Sequence, residues 1–479
     1  MPPSSNEFDQ KLSRNALIAL VIGSMVGSGI FALPAAFGQA TGALGAMIAW
    51  VIAGTGMLML AFVFQTLARR KPDLNAGIYA YARAGFGDYV GFAAAAGYWM
   101  GCCLADVACL ILIKATLGQF FPIFGDGTTP AAIASASVLL WGVHYLVLRG
   151  IQGAAALNTV ATYAKLIPIL LFIVVAIVAW NSELFSSNFW GTEQPRLADV
   201  FSQVRGTMLL TVFVFVGIEG ASVYSRYAKD RADIGIATVV GFLSVLCLLV
   251  LVTLLSYGVL PRQELAGLST PSMAGVMESM VGRWGSVFIS VALLISVLGN
   301  YLSWSLLAAE VLHSAAVNRT MPSFLASVNS HKVPVGSLWL TNFVIQTFLL
   351  VTWFAEYAFT LALKMTSAMT LIPYFFVAAY GLKLAFLGET YHSGERARIV
   401  DWIRSAVATL YAASMIYAGG LKFLLLSSVL YAPITLLFFL AKRERRQPIF
   451  RPLEAAMFGL LTIAACIGIY ALAIGAISI

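Results

Sequence analysis

The stretch VGSGIF at residues 26–31 interrupts the first apolar run of the chain, which extends from about residue 15 to residue 37. A second interruption, GIEG at residues 217–220, lies about 190 residues further on, inside the run from about 207 to 224. Glycine clusters weaken the helical hydrogen-bond ladder, and a membrane tolerates the freed backbone groups only where they line a cavity or bind a ligand. Two such breaks in corresponding positions predict two structural repeats around one substrate site.

The composition indicates a protein that crosses a membrane many times. Hydrophobic residues make up 60% of the 479 residues and charged residues only 10%, with a mean hydropathy of +0.88. About thirteen apolar runs reach or approach the roughly 20 residues that span a bilayer. They lie near 15–38, 42–67, 88–121, 131–149, 154–180, 205–224, 235–260, 283–312, 334–353, 356–386, 403–420, 422–441 and 453–477. Residues 1–11 are polar and no small-residue cleavage site follows, so we expect no signal peptide.

Basic residues mark one side of the predicted membrane. Alternate loops carry Lys11, Arg14, Arg69, Arg70, Lys71, Arg149, Arg226, Lys229, Arg231, Arg319, Lys332, Arg396, Arg398, Arg404, Lys442, Arg443, Arg445, Arg446 and Arg451. The opposite loops hold only Arg196, Arg205, Arg262, Arg283 and Lys422. By the positive-inside rule the N-terminus is expected to be cytoplasmic, and the odd number of spans then places the C-terminus outside. The net charge of +8 therefore indicates topology rather than a nucleic-acid partner.

The predicted fold class is an all-α membrane protein with about 13 transmembrane helices, a 5+5 inverted repeat and broken helices 1 and 6. The first repeat, with the N-terminal tail, covers residues 1–180, the second covers 205–387, and three additional helices cover 403–479. An odd number of spans per repeat inverts the second repeat relative to the first. Short interfacial helices are expected within 68–87 and, as its counterpart, from 319 to 333.

Several motifs together resemble one family. These are VGSGIF at 26–31, YW at 98–99 with a polar residue eight positions after the tyrosine, FVGIEGAS at 215–222 and WSLLA at 304–308. In this order they resemble the basic amino acid and polyamine antiporters of the amino acid–polyamine–organocation superfamily, over residues 13–440. The thirteenth span and the loop YAKDR at 227–231 are most similar to the arginine/ornithine antiporters of that family.

The two breaks suit an amino acid. Backbone N–H groups at Ser28 and Gly29 face the carboxylate, while freed carbonyls near Val26 and from Phe213 to Gly217 face the ammonium. The alternative is that the small residues only allow close helix packing.

Asp106 lies about 18 residues into the third span, near the bilayer midplane at roughly 1.5 Å per residue. A charge at that depth should face a cavity or a partner, and we expect the cationic end of a substrate side chain. An ion pair with Lys114 is the alternative, although eight residues along one helix separate the two by about 12 Å.

Two further ionisable residues are candidates for coupling and gating. Glu219, beside the second break, either couples substrate occupancy to gate closure or caps half-helix N–H groups. Lys165 lies in the fifth span, and related proton-coupled transporters place a lysine there as a substitute for a sodium ion; a permanently charged structural lysine is the alternative.

The resemblance implies further contacts. Phe213 and Trp304 match positions where rings pack against the substrate stem, and cation–π attraction to a guanidinium fits there. Tyr98 and Tyr374 flank the pocket and its cytoplasmic-side gate. The remaining positions carried over are Gly101, Cys102, Val216 and Thr366.

The sequence predicts a secondary antiporter of cationic amino acids, with arginine against ornithine as the preferred pair. Lysine or polyamine exchange and proton-coupled uptake stay open. An intramembrane enzyme is disfavoured because no nucleophile–base pair or metal cluster stands out in the spans, and a structural subunit leaves Asp106, Lys165 and Lys364 unexplained. No cofactor or metal is expected, and the five cysteines are expected to be packing residues. The expected partners are cationic amino acids and the lipid bilayer; a homodimer is left open.

Overall fold

The computed structural model describes residues 14–74, 78–150, 154–192, 197–219, 231–355, 357–392 and 394–477. Within those ranges the regular secondary structure is helical, and Val328 and Pro334 form one isolated β-bridge. The helices are α1 (Arg14–Met25), α2 (Leu33–Ala40), α3 (Ala43–Arg70), α4 (Ile78–Phe86), α5 (Asp88–Gly118), α6 (Pro130–Leu148), α7 (Ala154–Val178), α8 (Ser182–Ser187), α9 (Leu197–Phe213), α10 (Arg231–Ser256), α11 (Arg262–Gly267), α12 (Ser272–Val281), α13 (Arg283–Val317), α14 (Val335–Val351), α15 (Ala358–Leu387), α16 (Arg396–Glu444) and α17 (Pro452–Ala473). Short 3₁₀ turns cover Ser28–Ala32, Pro122–Phe124, Ser323–Ala326 and Thr352–Phe354.

The all-helical membrane fold is confirmed. In the described ranges nine helices are long and apolar enough to cross a membrane, and the bent pair α1–α2 forms a tenth. Every predicted apolar run coincides with a helix, although the run at 205–224 is described only as far as Glu219. The total of about 13 spans and the inverted repeat stay predictions.

The helix α16 contains two of the predicted spans. Its 49 residues would extend over about 73 Å, far more than the roughly 30 Å hydrocarbon core. Gly420 interrupts it with φ 78°, a conformation that favours glycine. Arg205 of α9 donates to the Ala418 carbonyl beside this kink at 3.1 Å.

The loops predicted to share the basic side of the membrane contact one another at one end of the molecule. Arg70, at the end of α3, donates to Glu395 at 2.6 Å and lies 3.4 Å from the Asp401 carboxylate at the start of α16. Asp88, at the start of α5, pairs with Lys442 near the end of α16 at 2.7 Å. We name this end the basic face.

The opposite loops also contact one another. The Asn188 side chain donates to the Tyr257 carbonyl at 2.7 Å, and its main-chain carbonyl accepts from Ala43 at 3.1 Å. Arg262 donates to the Gly38 carbonyl at 2.9 Å. The short helices α11 and α12 belong to this end, where the Ser272 hydroxyl accepts from the Ala35 N–H of α2 at 3.1 Å. The loops therefore alternate between two ends, as their charges predict.

The first of the two predicted short helices is present as α4. The prediction of a second one, from 319 to 333, is wrong. That segment holds only the 3₁₀ turn Ser323–Ala326. The cause is local: the Asn329 side chain accepts from the N–H groups of His331 and Val333, both at 3.0 Å, and Lys332 has φ 61°. Asparagine favours such a turn because its side chain competes with the helical hydrogen bonds.

Asp401→Asn should lower the stability of the protein by about 1–3 kcal/mol. The carboxylate is 3% exposed and lies within 4 Å of Arg69, Arg70 and Arg404, so its loss removes the counter-charge that these three cations share. Fully buried pairs cost roughly 3–5 kcal/mol when broken, and the exposure of Arg69 and Arg404 reduces this figure.

Thermal unfolding in detergent measures the effect. The matched control is Glu389→Gln, because Glu389 is half exposed and lies 3.9 Å from Lys71, a pair that should be worth less than about 1 kcal/mol. Equal melting temperatures for the two variants would contradict the role of Asp401.

Candidate substrate site

The first span breaks where the sequence predicts. α1 ends at Met25, Gly27 is extended at φ −108° and ψ −162°, and a 3₁₀ turn from Ser28 leads into α2. The two arms meet at 47°. Because the backbone leaves the helix at Gly27, carbonyls of the last turn of α1 have no helical N–H partner.

The Lys165 ammonium occupies the end of α1. It donates to the carbonyls of Gly23 and Val26, both at 2.8 Å, and to Asn300 Oδ1 at 3.2 Å. The lysine is 1% exposed. A cation at this position suits the negative end of the α1 dipole as well as the freed carbonyls. The Val26 carbonyl, predicted to bind the substrate ammonium, is thus already used by the protein.

The second break contacts the first. Past Phe213 the chain forms tight turns, in which Val216 N donates to Phe213 O at 3.1 Å and Ile218 N donates to Phe215 O at 3.2 Å. Gly217 has φ 109°, and its carbonyl accepts from the Ser24 hydroxyl of α1 at 3.2 Å. Gly220 and the rest of the predicted sixth span lie outside the described residues.

Glu219 joins three elements at one point. The Tyr98 hydroxyl of α5 donates to Oε1, and the Tyr374 hydroxyl of α15 donates to Oε2 at 2.5 Å. The Gly217 N–H also donates to Oε2, at 3.2 Å. All three side chains are at most 5% exposed. The cluster Tyr98–Glu219–Tyr374 lies towards the basic face, because Tyr98 is only about 15 Å along α5 from Asp88.

Asp106 lies two helical turns beyond Tyr98 on the same face of α5, about 12 Å further from the basic face. It is fully buried, and neither carboxylate oxygen has a hydrogen-bond partner among the residues that the structure describes. The alternative partner, Lys114, forms no ion pair with it; its ammonium lies 5.7 Å from the centre of the Phe124 ring. A buried carboxylate without a partner is costly and calls for a cationic one.

The other predicted residues surround this point with different contacts. Phe213 lies against the first break, since a Cβ on Gly29 would be 2.8 Å from its ring. Ser28 Oγ is 3.9 Å from Cys109 Sγ, one turn beyond Asp106 on α5. Both Phe213 and Ser28 are buried. The geometry therefore brings the two breaks and the Asp106 face of α5 together.

Gly101 and Thr366 form a close helix contact rather than an open subsite. A Cβ on Gly101 would lie 2.6 Å from Thr370 Cγ2 and 3.4 Å from the Thr366 carbonyl, and the Thr366 hydroxyl donates to Ala362 within α15 at 2.9 Å. Cys102 and Val216 are buried, while Trp304 is half buried against the core.

Sequence reasoning missed two polar residues of α13. Asn300 is the third acceptor of Lys165, and Tyr301 has a buried hydroxyl that no described residue bonds. The sequence contained a signal for Asn300, because a polar residue in the middle of an apolar run marks a candidate functional position. Among the described residues no group of three or more His, Cys, Asp or Glu side chains could hold a metal ion.

A model of the amino acid permease family matches residues 12–439. The chain belongs to this family. The contacts described above lie in the matched part of the chain.

Curated relatives extend over nearly the whole length. The chain is 52% identical to the arginine/ornithine antiporter of Pseudomonas aeruginosa, over 98% of each chain. It is 41% identical to the putative arginine/ornithine antiporter of Escherichia coli, over 95% of this chain and 98% of that one. It is 37% identical to the arginine/agmatine antiporter of Chlamydia abortus, over 90% of each chain. These relatives are transporters of cationic substrates, by their names.

Gly217→Ala should destabilise the protein by roughly 1–3 kcal/mol, the cost of holding a non-glycine residue in a sparsely populated backbone region. An added Cβ would lie 2.5 Å from the Ser24 carbonyl, in addition to the strain of φ 109°. The melting temperature in detergent reports the loss. Gly206→Ala on α9 is the control, because its Cβ would meet only Ala40, at 3.5 Å. A Gly217→Ala protein as stable as Gly206→Ala would show that the two breaks do not need their close contact.

Proposed function

We propose that the protein is a secondary antiporter that exchanges cationic amino acids, arginine for ornithine, across a bacterial inner membrane. The observation that carries the proposal is Asp106, a fully buried carboxylate that no described residue bonds. It lies on the helix face that meets both breaks. A guanidinium or ammonium on the substrate side chain supplies the missing partner, and the names of the relatives favour this class of substrate.

We assign the carboxylate and the ammonium of the substrate's amino acid group to the two breaks. Its carboxylate binds the N–H groups of Ser28 and Gly29, at the start of the turn that leads into α2. Phe213, whose ring lies against Gly29, moves aside to admit it. Trp304 packs against the alkyl stem. The substrate ammonium shares the carbonyls from Phe213 to Gly217, because Val26 is used by Lys165.

The gate on the basic side is the cluster Tyr98–Glu219–Tyr374. Its hydrogen bonds tie α5 and α15 to the second break, so they must separate before substrate reaches that side. With the basic face in the cytoplasm, the N-terminus is cytoplasmic and the C-terminus periplasmic. In this orientation the cluster closes the cytoplasmic side of the proposed site.

Counterflow in liposomes tests the proposal. Labelled arginine should enter liposomes loaded with ornithine and should not enter empty ones, while lysine or agmatine inside measures the selectivity. In Asp106→Asn the affinity for arginine and ornithine should fall by about 10- to 100-fold, the loss of a hydrogen bond to a charged group. A folded Asp106→Asn protein with unchanged affinity would exclude contact with this carboxylate.

Proton-coupled uptake is the second candidate, and Lys165 is the observation that favours it. Its ammonium provides three hydrogen bonds at the first break, so losing its proton would weaken the joint between α1, α7 and α13. Lysine can lose its proton when it is buried.

Lys165→Ala should remove the dependence of transport on a pH gradient if Lys165 carries the proton. Uptake into empty liposomes under an imposed gradient measures this dependence. Lys114→Ala is the control, a second buried lysine that bonds neither break in the described structure. A folded, active Lys165→Ala protein with the wild-type pH profile would exclude Lys165 as the carrier.

A further inference from the structure

A basic cavity of about 250 Å³ lies on the basic face, away from the substrate site. Its charged wall consists of Arg83, Arg319, Lys442 and Arg445, with Asp88 as the one carboxylate among the lining residues. The side chains come from α4, the start of α5, the segment after α13 and the end of α16. Four separate segments thus converge there.

The cavity holds more positive charge than its single carboxylate balances. Asp88 is shared between Arg83 at 2.8 Å and Lys442 at 2.7 Å. Among the described residues Arg319 and Arg445 form no ion pair with a carboxylate. Arg445 donates instead to the Met321 carbonyl at 3.2 Å.

The acid next in sequence does not restore the balance. The Glu444 carboxylate accepts from the Ser323 N–H at 2.9 Å and is absent from the cavity wall. Burial lowers the pKa of Arg445; the charges of Arg319 and Arg83 lower it further, while Glu444 and Asp88 act in the opposite direction. Like charges crowd one another here.

A second, independent observation is Thr320, which also lines the cavity. It is 5% exposed, and its hydroxyl is buried without a hydrogen-bond partner among the described residues. A buried hydroxyl without a partner costs free energy. In a cavity lined by several guanidinium groups, this hydroxyl can donate to an oxygen-rich anion. Two apolar residues, Phe438 and Ala441, line the same cavity.

We propose that this cavity binds a phosphate-bearing anion, with the headgroup of an acidic phospholipid in the adjacent leaflet as its source. Planar guanidinium groups bind phosphate oxygens through paired N–H donors, and basic pockets between transmembrane helices at the cytoplasmic side suit acidic headgroups. The site is independent of the substrate, because none of its residues belongs to the two breaks or to the Asp106 face.

The test compares purified protein in phosphatidylcholine-containing micelles with the same micelles supplemented with phosphatidylglycerol or with inorganic phosphate. Phosphatidylglycerol should raise the melting temperature. In Arg319→Gln the apparent affinity for that lipid should fall about tenfold, the lower end of the effect of removing a charged hydrogen bond. Thr320→Val should also reduce the rise in melting temperature that phosphatidylglycerol causes. Its melting temperature in phosphatidylcholine alone should be unchanged or higher.

The matched control is Arg443→Gln, which removes the same charge from the same face. Arg443 is exposed and does not line the cavity, so this variant should keep the wild-type response to lipid. A response to inorganic phosphate that is lost in Arg319→Gln, with none to phosphatidylglycerol, would support the anion site and make soluble phosphate its source. Equal responses of Arg319→Gln and Arg443→Gln, or equal stabilisation by phosphatidylcholine and phosphatidylglycerol, would overturn the proposal.

Discussion

Non-helical backbone inside a membrane must find hydrogen-bond partners, because the hydrocarbon provides none. Here the partner is the Lys165 ammonium, which holds the Gly23 and Val26 carbonyls at the end of α1. Asn300 fixes the ammonium from α13. The Ser24 hydroxyl then bonds Gly217, so one break supports the other. The centre of the molecule depends on this cation at the first break and on the hydrogen bond that joins the two breaks.

Two buried carboxylates close to this centre differ in their partners, and the difference supports the separate roles proposed for them. Glu219 accepts from two tyrosine hydroxyls and from a backbone N–H, which suits a group that closes a passage. Asp106, about 12 Å beyond Tyr98 along α5, has no described partner. A carboxylate in that state is complementary to a cation that arrives from outside.

The sequence predicted the breaks and the buried charges because each depends on a local signal. Glycine clusters weaken a helix wherever they lie, and Asp106 or Lys165 stands out in an apolar run at once. The predictions that failed or were missed have different causes. The helix expected at 319–333 was wrong for a local reason, because one asparagine side chain bonds its own loop. Asn300 stands out as a polar residue in an apolar run, but only the folded structure brings it to Lys165. The basic cavity could not be predicted either, since its residues come from four segments.

The proposed exchange also has an electrostatic reason. A carboxylate that is buried without a counter-charge costs several kcal/mol, and the closed structure leaves Asp106 in this condition. In the exchange that we propose, a bound cationic side chain removes most of this cost, so the closed state is more accessible when the carrier is loaded. The carrier then changes sides with substrate more readily than without it, and this difference favours exchange over net transport.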